Sequence, residues 1–509
     1  MASSDVPDPH GQGGLSTAEQ RFERVRRTLG LVAGPLATLT LLAFPLAGLS
    51  APAARLAGVL SWVVVWWICE PVPLPVTAVL GPALMVILGV VKPKAAFAPF
   101  GDPVIFLFLG GFLLAEAMTV HGLDRRLALR ILSSRWVAGR PARVLAGFGL
   151  LAAGLSMWLS NTATTAMLYP IALGVLRASP TLTTGSEKRR GAFASGLLLV
   201  CAYGSSIGGI GTPVGTPPNL IAMGQLSTLA GVKLGFLPWM GIAVPVMLAM
   251  LAFMLVYVRF VFPAPSGAAL DEGVVAAQRV RLGPLSRGER NVLVAFLLAV
   301  LGWVGPGIVT AVLGAGHPVS TRLGELLPES VVALVAAVLL FALPTKWAER
   351  RFTLTWHDAG SIDWGTLLLF GGGLSLGGAM FSTGLASALG NALTGATGAR
   401  SLVALTVLFS VFAIYFTEVT SNTATATMLV PLAIAAAQAA GVDPVPPAVG
   451  CALGCSMAFM LPVATPPNAI VYGSGQIPIM RMVRAGFWLN LTACVVIPTL
   501  ALLLASVAR

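Results

Sequence analysis

The chain has 509 residues, of which 56% are apolar and only 10% charged, with a formal net charge of +12. An ordinary globular chain carries about 25% charged residues, so this one cannot coat a soluble surface of its size, and its medium is lipid. The positive balance does not point to nucleic acid, because no basic stripe interleaved with aromatics runs through the sequence.

Residues Met1–Gln20 are polar, contain Gly, Ser and Pro, and read as disordered. They do not read as the start of a secretory signal, because the first apolar run is too long and sits behind a long polar head. A bilayer core takes roughly 20 apolar residues per helix. On that measure spans fall near Leu29–Ser50, Leu56–Cys69, Leu74–Val91 and Val104–Val120. Further spans fall near Gly191–Leu229, Phe236–Phe262, Val292–Val309, Ser330–Leu343 and Trp364–Leu385, then Pro444–Tyr472 and Ala485–Val507. That makes eleven. The five cysteines all lie inside apolar runs and read as small buried hydrophobes rather than a disulfide framework.

Two stretches fit neither one span nor two: Val144–Leu176, centred on Ser160, and Ser401–Gly441, centred on Ser421–Asn422. Each reads as a re-entrant helical hairpin with a polar tip, which is tolerated at membrane depth only inside protein or beside a wet cavity. With the N-terminus in the cytoplasm and each span switching sides, 24 of the 31 Lys and Arg fall on the cytoplasmic side. They cluster at Arg21–Arg27, Arg125–Arg143, Arg177–Arg190, Arg259–Arg290, Lys346–Arg351 and Arg481–Arg484. This is the positive-inside bias, and it supports both orientation and span count.

The sequence repeats itself. Ser160-Asn161-Thr162-Ala163-Thr164 matches Ser421-Asn422-Thr423-Ala424-Thr425 at an offset of 261, as Asp102 matches Asp363 and Gly110-Gly111 matches Gly371-Gly372. Pro213-Val214-Gly215-Thr216-Pro217-Pro218-Asn219 matches Pro462-Val463-Ala464-Thr465-Pro466-Pro467-Asn468 at an offset of 249. Chance likeness between apolar segments accounts for shared Leu and Ala, not for these polar blocks in order. Five spans separate Asp102 from Asp363, so the second copy is expected upside down. Inverted repeats with interrupted helices at corresponding places are the signature of a secondary transporter with its site at the repeat interface.

Each Pro-Pro pair removes two backbone donors and breaks its host span. The freed carbonyls can coordinate a hard cation, and the new helix N-terminus attracts an anion. The tips add hydroxyls and amides, and no Lys or Arg lies in any of the four elements. Neutral oxygen ligands of this kind suit sodium. Glu116 and Glu418 stand inside apolar runs and are functional candidates on that ground, Glu418 as a supporting residue three positions before its tip. The Gly371-Gly372-Gly373 run reads as close helix packing. No histidines form a metal spacing, and an enzyme's nucleophile–base pair is missing from the membrane half. A channel would need a continuous pore, which two interrupted hairpins do not suggest.

The paired Ser-Asn-Thr tips, each followed by a Thr-Pro-Pro-Asn element, resemble the divalent-anion:sodium symporter family from about Leu29 to Val507. The resemblance implies a lipid-embedded homodimer in the plasma (inner) membrane that works as an elevator, a hairpin-bearing transport domain sliding on a scaffold. It implies C4-dicarboxylates such as succinate, malate and fumarate, with sodium as coupling ion. A sodium-independent exchanger and a citrate or sulfate carrier are the alternatives on the same fold. By position, it implies a first sodium site at Ser156, Ser160, Asn161 and Gly215, and a second at Thr417, Thr420, Asn422 and Ala464. Substrate carboxylates are expected at Asn161, Thr162, Thr216, Ser421, Asn422, Thr423, Thr465 and Pro466. The expected organisation is an all-α polytopic chain: a disordered cytoplasmic tail 1–27, scaffold 28–143 and 289–399, transport domain 144–262 and 400–509, and a cytoplasmic loop 263–288.

Overall fold

The structure, a computed structural model, describes residues 17–134, 136–137, 140–178, 187–263 and 272–505. It is mostly helical. The chain opens with α1 (Thr17–Ala43), α2 (Ala51–Cys69), α3 (Leu74–Ile87) and the short α4 (Pro93–Phe97), which a 3-10 turn joins to α5 (Pro103–His121). Then follow α6 (Leu123–Leu132), α7 (Pro141–Ser156), α8 (Asn161–Ala178), α9 (Glu187–Gly209), α10 (Pro217–Ala230) and α11 (Phe236–Val261). The middle holds α12 (Glu272–Arg281), α13 (Arg287–Leu313), α14 (Pro318–Leu326) and α15 (Glu329–Ala342). A two-stranded antiparallel hairpin, β1 (Pro344–Lys346) and β2 (Arg351–Phe352), leads to α16 (Trp356–Ala359), α17 (Trp364–Thr383) and α18 (Leu385–Thr397). Last come α19 (Leu402–Phe416), α20 (Asn422–Ala439), α21 (Val445–Cys455), α22 (Pro466–Tyr472) and α23 (Ile479–Leu504).

Among the described residues, seven helical stretches are long and apolar enough to cross a membrane, or up to nine if the bent pairs α14–α15 (52°) and α18–α19 (96°) each make one span. Eleven spans are expected from the apolar runs. The difference lies partly in shorter apolar helices such as α3, with 14 residues, and α21, with 11, which ends at the proline-bearing break. The outward faces of α1 and α13 carry exposed Leu29, Val32, Leu36 and Leu39, and Val294, Leu298 and Leu301. Such faces suit hydrocarbon rather than water. The expected disordered tail needs correction over 17–27, which is the first part of α1. Arg26 holds it there, donating to the Ile68 carbonyl and pairing with Glu23. The rest of that tail lies outside the described residues.

Matched positions do matched work. Asp102 caps α5 by accepting the Val104 amide, with Pro103 opening the helix, and Asp363 caps α17 by accepting the Thr366 amide. Both helices end on a left-handed glycine, Gly122 and Gly384, and both lead into a short helix, α6 and α18. The glycine pairs allow close packing. A Cβ on Gly110 would come within 2.6 Å of the Ala333 side chain on α15, and one on Gly372 would overlap the Ala78 carbonyl on α3.

Candidate functional site

Each polar tip falls in a break between two helices. Residues 157–160 separate α7 from α8, and residues 417–421 separate α19 from α20. The proline elements open a second pair of breaks, 210–216 between α9 and α10, and 456–465 between α21 and α22. In both, the two prolines sit at the start of the new helix, where their missing N–H groups cost nothing. Thr216 and Thr465 take up almost the same extended conformation before them, with φ/ψ of −150°/143° and −144°/149°.

The helix pairs that flank the two tips and the two broken helices pack together. Helices α7 and α8 pack on α9, and α19 and α20 pack on α21. The helix that follows each tip also lies against the other copy's broken helix, α8 against α22 and α20 against α10. That crossing brings the four polar elements into one region.

Within each copy the polar contacts recur. Ser156 Oγ donates to Asn161 Oδ1 at 2.7 Å, and Thr417 Oγ1 donates to Asn422 Oδ1 at 2.7 Å. Asn219 Nδ2 donates to the Gly209 and Thr212 carbonyls at 3.0 and 2.7 Å, and Asn468 Nδ2 to the Ala458 and Leu461 carbonyls at 3.1 and 3.0 Å. These asparagines tie the two sides of each break together, doing for non-helical backbone what the helix ladder does elsewhere. Their Oδ1 atoms are buried with no hydrogen-bond partner.

The first expected sodium set converges. A Cβ built on Gly215 would lie 2.5 Å from the Gly209 carbonyl oxygen and 2.9 Å from those of Ser156 and Met157. A Cβ on Gly209 would run into Asn161 Oδ1. Carbonyl oxygens from α7's end and α9's end therefore crowd around Gly215, and the Asn161 amide oxygen at α8's start stands beside neighbouring Gly209. Ser160 stands apart from this crowd: it is exposed and caps α8 by accepting the Ala163 amide at 3.1 Å. In the second set Thr417 Oγ1 also donates to the Cys455 carbonyl at 2.9 Å, while Thr420 Oγ1 is within 2.6 Å of Thr425 Oγ1 and donates to the Phe416 carbonyl. Ala464, 9% exposed, takes the place of Gly215.

The expected substrate residues differ in exposure. Thr162 and Pro466 are exposed, Asn161, Ser421, Asn422 and Thr423 half-buried, and Thr216 and Thr465 buried. Thr465 caps α22 by accepting the Asn468 amide, whereas Thr216 makes no side-chain cap, which leaves its hydroxyl for a ligand. Both residues stand where a helix begins, at the positive end of its dipole; the two prolines there carry no N–H, and the next amide is already bonded, that of Asn219 to the Thr216 carbonyl and that of Asn468 to Thr465 Oγ1.

Glu418 sits beside the second tip and accepts three successive backbone amides of the 456–465 break. Glu116, on α5, takes part in none of these contacts. Sequence reasoning misses the backbone carbonyls of Met157 and Gly209, which no residue type announces, and also Asn490. An asparagine inside the apolar α23 is itself a signal, since a lone amide in a span needs a partner.

The sequence matches the family model described as the sodium:sulfate symporter transmembrane region over residues 26–507. A sodium-dependent dicarboxylate transporter of Staphylococcus saprophyticus, SdcS, is 36% identical over 485 residues, 94% of this chain and 91% of that protein. The Staphylococcus aureus protein of the same name is 34% identical over 475 residues, 92% of this chain and 89% of its own. Two solved structures share the fold. The Alcanivorax borkumensis YdaH transporter has a TM-score of 0.53 at 15% identity, covering 81% of this chain and 85% of its own. Neisseria gonorrhoeae MtrF has a TM-score of 0.53 at 13% identity, covering 94% and 97%.

Proposed function

We propose that this chain, which belongs to the sodium:sulfate symporter transmembrane-region family, imports C4-dicarboxylates of the succinate, malate and fumarate type together with sodium. The observation that carries the reading is the oxygen crowd around Gly215, with a matching Ser/Thr-to-Asn contact in each copy. Two negative charges near the bilayer midplane are very costly without compensation. The four polar elements hold no Lys or Arg, and a helix N-terminus offers only about half a charge. Bound cations supply the rest, and neutral carbonyl, hydroxyl and amide oxygens suit sodium. The names of the staphylococcal relatives agree on both sodium and dicarboxylate.

The first ion sits among Ser156, Asn161 and Gly215, with Ser160 capping α8 beside them rather than facing the ion, and the second among Thr417, Thr420, Asn422 and Ala464. Asn161 and Asn422 serve ion and substrate together, the amide oxygen facing the cation and the NH2 facing a carboxylate. Thr162, Ser421 and Thr423 donate hydroxyls, while Thr216, Thr465 and Pro466 present the N-termini of α10 and α22. The two copies are inverted repeats, and the protein works as a homodimeric elevator in the plasma membrane with its N-terminus in the cytoplasm. The short helices α6 and α18, each between a glycine-ended span and a hairpin, fit the arms such a motion needs.

Reconstituted protein tests this. Empty vesicles with an inward sodium gradient should accumulate labelled succinate, and choline in place of sodium should abolish it. Uptake indifferent to sodium but dependent on preloaded dicarboxylate would make the protein an exchanger. Sulfate or citrate uptake without any C4-dicarboxylate uptake would refute the substrate class.

A further inference from the structure

The two copies differ at one contact between tip and break. In the first copy Met157 occupies the position that Glu418 holds in the second, at the offset of 261. There the Thr212 hydroxyl donates to the Met157 carbonyl, a single neutral hydrogen bond. In the second copy a carboxylate makes the join. Glu418 Oε1 accepts the Phe459 and Met460 amides at 2.8 Å each, and Oε2 accepts the Leu461 amide at 3.1 Å. Asn490 Nδ2 of α23 adds a fourth donor to Oε1 at 2.7 Å. Four donors on two oxygens require a group that only accepts, which among side chains of this shape is the carboxylate and not the amide. Glu418 is 5% exposed, so water does not stand in for it.

The opposite side of the same loop is held as well. Tyr203 OH, from α9, donates to the Phe459 carbonyl at 2.7 Å, and Gly486 of α23 packs so close that a Cβ there would overlap the Phe459 backbone. Leu461 then passes the constraint on. Its N–H is bound by Glu418, while its carbonyl accepts the Ala464 amide at 3.2 Å and Asn468 Nδ2 at 3.0 Å. Ala464 belongs to the second sodium set, and Glu418 is itself flanked in sequence by Thr417 and Thr420 of that set.

We propose that Glu418 is a positioning residue for the second sodium site, acting through the Phe459–Leu461 backbone and Leu461 to place Ala464 opposite Thr417 and Asn422. The proposal rests on the sodium-coupled reading above. The carboxylate touches neither ion nor substrate. The first copy shapes its cradle by close packing around Gly215. The second has a methyl group at the matching place and takes its shape from an anionic clamp instead. Without the clamp, three amides of non-helical backbone at membrane depth have no acceptor, and the loop rearranges to find one. The two ions therefore occupy unlike sites, and only the second depends on Glu418.

The test uses the full chain, purified and reconstituted, with Glu418→Gln, which keeps size and shape but turns an NH2 toward the amide donors. Three quantities are read: sodium half-saturation of succinate uptake, succinate KM at saturating sodium, and the sodium midpoint of thermal stabilisation in detergent. Loss of hydrogen bonds to a charged acceptor should raise both sodium values about tenfold. Succinate KM at saturating sodium should stay within about twofold, a split that separates ion placement from substrate binding. Where Glu418→Gln does not fold, Tyr203→Phe removes the opposing grip on the loop and should raise both sodium values about threefold. Wild-type sodium curves in a folded Glu418→Gln, or in Tyr203→Phe when the first variant is lost, overturn the proposal. So does a rise in succinate KM alone. A wild-type protein whose uptake and melting both ignore sodium overturns the sodium-coupled reading itself.

Discussion

Replacing Gly215 with alanine adds one methyl group where three carbonyl oxygens converge. The new Cβ would stand 2.5 Å from the Gly209 oxygen and 2.9 Å from the Ser156 and Met157 oxygens. These are backbone atoms at the ends of α7 and α9, not the flexible ends of side chains, so relief requires the oxygens themselves to turn away. Overpacking of this kind costs about 1–3 kcal/mol. Each 1.4 kcal/mol is about tenfold in an equilibrium constant. If the cost falls on the ion-holding geometry, the sodium half-saturation of succinate uptake should rise between about fivefold and about a hundredfold. The matched comparison is Gly154→Ala on α7, where a Cβ meets nothing within 4 Å. That substitution should leave the sodium curve in place and raise helix stability by up to about 1 kcal/mol. Both variants are measured in proteoliposomes after size-exclusion chromatography confirms a folded protein. A Gly215→Ala protein with the Gly154→Ala sodium curve would show that these carbonyls do not face an ion.

Other outcomes follow from the same geometry. Asn161→Ala and Asn422→Ala each remove an amide assigned to both ion and carboxylate, so either should abolish uptake while leaving expression near normal; wild-type uptake in either would make the tip structural. Asn468→Ala removes a donor from two carbonyls of the second break, leaving that of Ala458 unpaired while Leu461 keeps the Ala464 amide, and should lower the melting temperature in detergent by an amount matching the roughly 1–3 kcal/mol of one buried group left unsatisfied. Gly372→Leu should prevent α17 from seating on the Ala78 carbonyl and lower the yield of folded protein, whereas Gly378→Ala, in open space on the same helix, should not. Single cysteines placed within Arg125–Arg143 and Val274–Arg290 should resist an impermeant thiol reagent added outside intact cells; labelling of both would reverse the orientation.

Much of the site is legible in the sequence because it is written in residue types with strong backbone consequences. Pro217-Pro218 and Pro466-Pro467 can only start a helix inside an apolar run, and both breaks fall where they stand. The tips were expected at Ser160 and at Ser421–Asn422, and the helices stop and restart there. Span lengths are less legible, since a run such as Leu74–Val91 includes residues that the helix, ending at Ile87, leaves to a turn at Gly89. Of the partners of Glu418, only Asn490 leaves a trace in the sequence, as an amide inside an apolar span. Three of Glu418's four donors are backbone amides, and every residue except proline has one of those. The duplication helps only by contrast, in that Met157 stands where Glu418 does and marks the acid as an addition to the second copy. The Lys346–Arg351 cluster announces a membrane side but not the β-hairpin it forms.

In the proposed mechanism, sodium and a C4-dicarboxylate cross together through the two-tip site. Parallel uptake of radiolabelled sodium and radiolabelled succinate into the same proteoliposomes tests it most directly. The account predicts that each solute speeds the entry of the other and that Asn161→Ala and Asn422→Ala each abolish both fluxes. Sodium entry that is blind to succinate, with succinate entry blind to sodium, would contradict it.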